Sequence, residues 1–210
     1  MAAEFNKMGV AAFVLKYRLP NDRIMASKET GPLQDAQEAI KLVRKNANEW
    51  NIDVNKVGIM GFSAGGHLAS TAGTHFTTAV AENKEQINLR PDFMILIYPV
   101  ISFSDSLGHK GSRDKLLGTT PDSGKEMHYS AEHQVNAQTP PTFLVHAQDD
   151  KSVKVGNSIK LYEALTKNGI PAEMHVYPKG GHGFGLINPT TKDLWIERLR
   201  NWMIGGNWIK

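Results

Sequence analysis

Ser63 stands in the run Gly61-Phe62-Ser63-Ala64-Gly65-Gly66, directly after the apolar run Val57-Gly58-Ile59-Met60. A strand, a glycine-pinched turn bearing a serine and the start of a helix make a nucleophile elbow. The turn is tight, so Gly61 and Gly65 are expected to relieve crowding on its two flanks. Ser63 is then held outward in a strained conformation. The helix that begins there aims its unpaired N–H groups and positive dipole end at any oxyanion formed on the serine, with Ala64 as the expected donor. A glycine-rich turn after a strand can instead cradle a phosphate, but that would call for a lysine or more glycines than this run holds.

A serine hydroxyl becomes a nucleophile when a base takes its proton and an acid orients the base. After an elbow the acid precedes the histidine in sequence. The apolar run Pro141-Thr142-Phe143-Leu144-Val145-His146 leads into Ala147-Gln148-Asp149-Asp150, an acidic loop at a strand end. The alternating run Ala172 to Tyr177 leads into Gly180-Gly181-His182-Gly183-Phe184, where a histidine between glycines can reach Ser63. Ser63, Asp150 and His182 stand in the required order, each at the end of a predicted strand.

Bringing three strand ends together needs a particular scaffold. Residues 2–8 read as a helix stopped by Gly9, and Val10 to Tyr17 as an apolar strand. Asp35 can cap a helix whose apolar positions 36, 39, 40, 43, 47 and 50 keep helical spacing. Strands are expected at 56–60, 93–98, 142–146 and 173–177, and helices at 64–78, near 155–168 and near 190–203. Val155, Ile159, Tyr162 and Leu165 share one face of the first late helix; Trp195, Leu199, Trp202 and Met203 share one face of the last. Strand and helix alternate, which predicts one α/β domain over residues 1–210, with an open parallel sheet between helices. Ligands then bind at the C-terminal ends of the strands. Residues 101–138 form a long polar insert between two strands, expected to cover the site like a cap, with Phe103, Met127 and Tyr129 lining it.

These segments resemble the α/β-hydrolase superfamily, and more closely the bacterial esterase/lipase group of acetyl-xylan esterase and xylanase-B-like proteins. The resemblance rests on Tyr17-Arg18-Leu19, Asp35-Ala36, Gly61 to His67, Pro140-Pro141, His146 to Val153 and Gly180 to Phe184, and spans nearly the whole chain. It implies a three-layer sandwich with a mostly parallel sheet, and cofactor-free hydrolysis of small acyl esters, often acetyl groups on plant-wall sugars. The family pattern His-x-x-x-Asp-x-x-Val selects Asp150 as the acid over Asp149, which could hold its own loop as an Asx-turn residue.

The family's pattern begins before the point matching Met1, with further strands and a glycine-rich loop that gives a second oxyanion donor. No His-Gly-Gly or Gly-Gly-Gly stretch precedes Ser63 here, so the second donor is unassigned. Losing one such donor costs about 10²–10³ in rate. A shortened sheet of about five strands is expected, with 10–17 directly on the elbow strand; the alternative is a groove filled by a second copy, since a bare edge is costly. Some self-association is expected. Beside the esterase stand two other readings: a serine peptidase of the same fold, and an inactive, truncated hydrolase.

Composition excludes several other classes. Lys plus Arg is 24 and Asp plus Glu is 21 in 210 residues, a net charge of +3. The charges are interspersed, with no basic stripe for nucleic acid. No apolar stretch approaches the roughly 20 residues of a membrane span. There is no cysteine, hence no disulfide, thiol nucleophile or thiolate metal site. No signal-peptide pattern opens the sequence, and a cytoplasmic location is expected. His109, His128 and His133 in the insert lack metal-ligand spacing, so no metal is expected. His67 and His146 read as hydrogen-bonded structural histidines, and Trp195 and Trp202 as core.

Overall fold

The computed structural model describes residues 1–104 and 106–210. Its centre is a parallel sheet of four strands in the order β1 (Ile59–Phe62), β2 (Met94–Ile97), β3 (Thr142–Ala147) and β4 (Ala172–Tyr177). Parallel registers pair Gly61 with Leu96, Ile97 with Val145, and Ala147 with Tyr177. All residues of β2 and β3 are buried, as expected of apolar runs sandwiched between two helical layers.

The two layers follow from the two-residue side-chain period of a strand. Ile95, Ile97, Phe143 and Val145 point to one face, against Trp195, Leu199 and Met203 of α7 (Trp195–Gly205) and Phe5 of α1 (Ala2–Lys7). Met94, Leu96 and Leu144 point to the other, against Ala69 of α3 (Ala64–Thr74) and Leu161 and Leu165 of α6 (Gly156–Lys167). Each such burial contributes roughly 1.5–3 kcal/mol. Leu33 and Ala36 of α2 (Gly31–Lys45) pack on Leu68 and Ala72 of α3. The insert between β2 and β3 carries α4 (Lys110–Leu117), α5 (Ser123–His128) and a 3₁₀ turn at Ala131–His133. Phe103, Leu116, Leu117 and Tyr129 there form a cluster with Val100 and Val153.

Two sequence expectations are corrected. Residues 10–17 form no strand, so the sheet has four strands rather than five. The segment is held by its ends instead of by a ladder. The Val10 N–H donates to the Phe5 carbonyl, and the Arg18 N–H donates to Asp35 Oδ2 at 2.7 Å. Phe13 and Val14 between them are 56% and 86% exposed; Ala12 packs on the core and Phe13 on Trp50, contacts made without any pairing to β1. Asp35 is not the cap of α2, which starts at Gly31 with Pro32 in its first turn. Its carboxylate faces outward and takes the Arg18 guanidinium, with Nη2 2.7 Å from Oδ1.

Candidate active site

β1 runs straight into the elbow. Ser63 has φ 52° and ψ −119°, a conformation open to few side chains and held only when its surroundings over-determine it. Here its N–H donates to the Ile97 carbonyl, and its own carbonyl accepts from the N–H groups of His67 and Val100. Gly61 and Gly66 let this close. A Cβ on Gly61 would lie 2.0 Å from the Gly65 carbonyl oxygen, and one on Gly66 would lie 2.7 Å from Pro99 Cβ. Gly65 does not share that role: a Cβ there would meet only the Tyr17 hydroxyl, at 3.8 Å.

The three chemistry-bearing residues named from sequence converge. Ser63 Oγ lies 2.8 Å from His182 Nε2, and His182 Nδ1 lies 2.7 Å from Asp150 Oδ2. Asp150 is buried, and burial alone would raise its carboxyl pKa. Hydrogen bonds from His146, His182 and the Val153 N–H outweigh that and hold it down at about 2. The carboxylate is therefore ionised, which makes Nδ1–H of His182 the donor to it. Nε2 is left as an acceptor for the Ser63 hydroxyl. The second carboxylate oxygen of Asp150 accepts from the Ser152 and Val153 N–H groups, both at 2.9 Å, so the acid cannot turn away.

The surrounding histidines are structural in their contacts. His146 is fully buried; its Nε2–H is shared between the Val153 carbonyl at 2.9 Å and Asp150 Oδ2 at 3.4 Å, and its Nδ1 accepts from Ser158 Oγ at 2.7 Å. His67 Nε2–H donates to the Tyr129 carbonyl at 2.8 Å, and its ring stacks on Phe103. Burial pushes the His67 pKa down to about 4, partly offset by that bond and reinforced by nearby His75. His109 caps α4, accepting from the Ser112 N–H. His128 sets its ring edge-on to His75, and His133 lies 3.8 Å from Glu132.

A cavity of about 450 Å³ opens beside the elbow. Tyr17, His67, Leu68, Phe103, Leu116 and Tyr129 line it, and it extends to Ala64, the neighbour of Ser63, with Ser63 and His182 themselves outside the lining. As the first residue of α3, Ala64 has no intrahelical acceptor for its N–H. Phe103 and Tyr129 line the cavity as expected. Met127 does not: it is 57% exposed and lies outside the lining, because α5 buries none of its residues.

Three sets of contacts around the site were not visible in the sequence. Tyr17 places its hydroxyl over the first turn of α3, with no hydrogen bond among the described residues, and burial raises its pKa. Tyr98, at the C-terminal end of β2 with φ 37°, sets its ring 5.0 Å from that of His182. Its hydroxyl accepts from the Gly185 N–H at 3.0 Å. Trp195 packs in the core as expected and also donates its indole N–H to the Gly185 carbonyl at 3.0 Å. The rule that sites form at strand C-terminal ends could have found Tyr98, one residue past β2.

Comparison with known proteins places this geometry in context. The family model described as BD-FAE matches residues 1–165. An acetylxylan esterase of Xylanibacter ruminicola is 37% identical over 203 residues, covering 94% of this chain and 39% of that protein. An endo-1,4-beta-xylanase B of Butyrivibrio fibrisolvens is 38% identical over 189 residues, covering 89% of this chain and 29% of that protein. The chain thus spans well under half the length of these two relatives. Among solved structures, an acetyl ester-xyloside bifunctional hydrolase from Caldicellulosiruptor lactoaceticus superposes with a TM-score of 0.90 at 41% identity, covering 100% of this chain and 76% of that one. The α/β-hydrolase fold is shared.

Proposed function

The chain belongs to the BD-FAE family, and we propose that it is a serine esterase that removes small acyl groups, acetyl foremost, from carbohydrate esters. The observation that carries this reading is the unbroken hydrogen-bond chain from Ser63 through His182 to Asp150. The names carried by its relatives support the acyl ester and the sugar alcohol.

In this reading Ser63 Oγ attacks the ester carbonyl carbon while His182 Nε2 takes the hydroxyl proton. Asp150 stays ionised, holds Nδ1–H and stabilises the imidazolium. The Ala64 N–H meets the oxyanion at the positive end of α3. Collapse of the tetrahedral species expels the alcohol, which takes the proton from His182. A water then gives its proton to His182 and attacks the acyl-serine; the acid leaves as His182 returns that proton to Ser63 Oγ. The cavity beside Ala64, walled by Tyr17, Phe103 and Tyr129, holds one of the two halves of the ester.

The test is hydrolysis of p-nitrophenyl acetate by the chain and by Ser63→Ala. Turnover by the wild type and background rates in the variant support the esterase. Equal background rates in both contradict it.

A further inference from the structure

Adjacent aspartates grip the two sides of one histidine. Asp150 holds the imidazole of His182, while Asp149 Oδ1 accepts the N–H of Gly181, the residue before it, at 2.8 Å. We propose that Asp149 is a positioning residue, which fixes the backbone that carries His182 so that Nε2 stays within reach of Ser63. The proposal rests on the reading of His182 as the base.

The loop needs an outside brace because its own sequence gives none. Gly180, Gly181, Gly183 and Gly185 all have positive φ, which leaves the chain on both sides of His182 with the freedom only glycine has. The loop ends are fastened well. The Lys179 carbonyl accepts from Asn188 Nδ2 and Thr190 Oγ1, and Gly185 is held by Tyr98 and Trp195. Between those ends, Asp149 supplies the bond: among the described residues, no other protein group hydrogen-bonds the backbone of residues 181–184. Asp149 is itself placed by the backbone that places Asp150, at the end of buried β3. The acid and the brace therefore move as one unit. A carboxylate accepting a backbone N–H is among the stronger hydrogen bonds, and a displacement of about 1 Å at a reacting group can cost about 10²-fold in rate. Asp149 is exposed, so water competes for it, and a smaller effect is expected.

The experiment compares Asp149→Ala and Asp149→Asn with the wild type in the full chain. It measures kcat and KM on p-nitrophenyl acetate and the downfield proton signal of His182 Nδ1–H. Asp149→Ala is expected to lower kcat about tenfold with KM within about twofold, and to broaden the proton signal by exchange although Asp150 is intact. Asp149→Asn keeps an amide oxygen for Gly181 N–H and recovers most of the loss. Wild-type kcat and a sharp signal in Asp149→Ala would overturn the proposal. So would an equal loss in both variants, which would assign the effect to charge. Should the wild type show no Ser63-dependent turnover, the esterase reading fails while the proton signal still decides the role of Asp149.

Discussion

The hydroxyl of Ser63 and Nε2 of His182 lie 2.8 Å apart although 119 positions separate them in sequence. Neither residue reaches the other by local structure. Ser63 follows β1 and His182 follows β4, the two edges of the sheet. The parallel registers of β1, β2, β3 and β4 carry the elbow, Tyr98, Asp150 and the histidine loop to the same end of the sheet. What the site can do therefore depends on close approach at the elbow and on charge at Asp150.

Close approach gives a graded series in the elbow glycines. Gly61→Ala and Gly66→Ala drive a new methyl into backbone or into Pro99, and each is expected to cost at least about 3 kcal/mol, the range of severe packing defects. Gly65→Ala meets only the Tyr17 hydroxyl at contact distance and lies in the first turn of α3, so it folds with stability equal to the wild type or up to about 1 kcal/mol higher. Urea unfolding of the three variants measures the order.

The strain at Ser63 predicts opposite effects on stability and activity. A non-glycine residue held in a sparsely populated conformation costs about 1–3 kcal/mol, which glycine largely relieves. Ser63→Gly is therefore expected to unfold at higher urea than Ser63→Ala, by about 1 kcal/mol, while both lose turnover. Equal midpoints would mean that the turn stores no strain.

His67 lies four residues after Ser63 on the same helix, yet its ring is committed to the Tyr129 carbonyl and to Phe103. His67→Ala is expected to cost about 2–4 kcal/mol through a cavity and an unpaired carbonyl, with kcat reduced no more than about tenfold. His182→Ala should lose about 10³-fold or more by comparison. Because the folded state depresses the His67 pKa to about 4 from 6.5, its contribution is fully present above pH 6.5 and declines as pH falls towards 4. Unfolding free energies at pH 7 and pH 4.5 should therefore differ less in the variant than in the wild type.

Asp150 loses its contribution in the same direction, at lower pH. Its folded pKa of about 2 lies below the unfolded value of 3.8, so its stabilisation is present above pH 4 and is lost as pH falls through 2. The shift corresponds to about 2–3 kcal/mol. Asp150→Asn should remove this acid-side slope in unfolding measurements between pH 4 and 2. It should also lower kcat by about three to four orders of magnitude by disturbing the imidazole tautomer.

The legible part of this protein was the part with strong periodicity or strong stereochemistry. The buried strands β2 and β3 announced themselves as apolar runs, and the elbow as glycines around a serine. The rest was hidden where polar groups or neighbours decide. On α6 the apolar stripe suggested Ile159 as a core residue, but the buried face is Asn157, Ser158, Leu161 and Leu165. Asn157 is buried because it is satisfied: its carbonyl oxygen accepts from Ile101 and Ser102, and its amide donates to Leu107 and Lys154. Hydrophobic pattern cannot reveal such a residue. Residues 10–17 have strand composition, but a strand is made by its partner, and here the run is held at its ends instead. Asp149 was legible as an alternative acid or as an Asx-turn residue of its own loop; its bond to Gly181 joins two loops that are distant in sequence.

The central claim is that His182 activates Ser63. The most direct test is reaction with a fluorophosphonate, followed by intact-mass and peptide analysis. Attack of Ser63 Oγ on phosphorus forms a P–O bond and expels fluoride while His182 takes the proton. The account predicts one adduct per chain, located on Ser63, absent from Ser63→Ala and formed at least about 10²-fold more slowly in His182→Ala. An unmodified Ser63, or one labelled equally fast without His182, would contradict it.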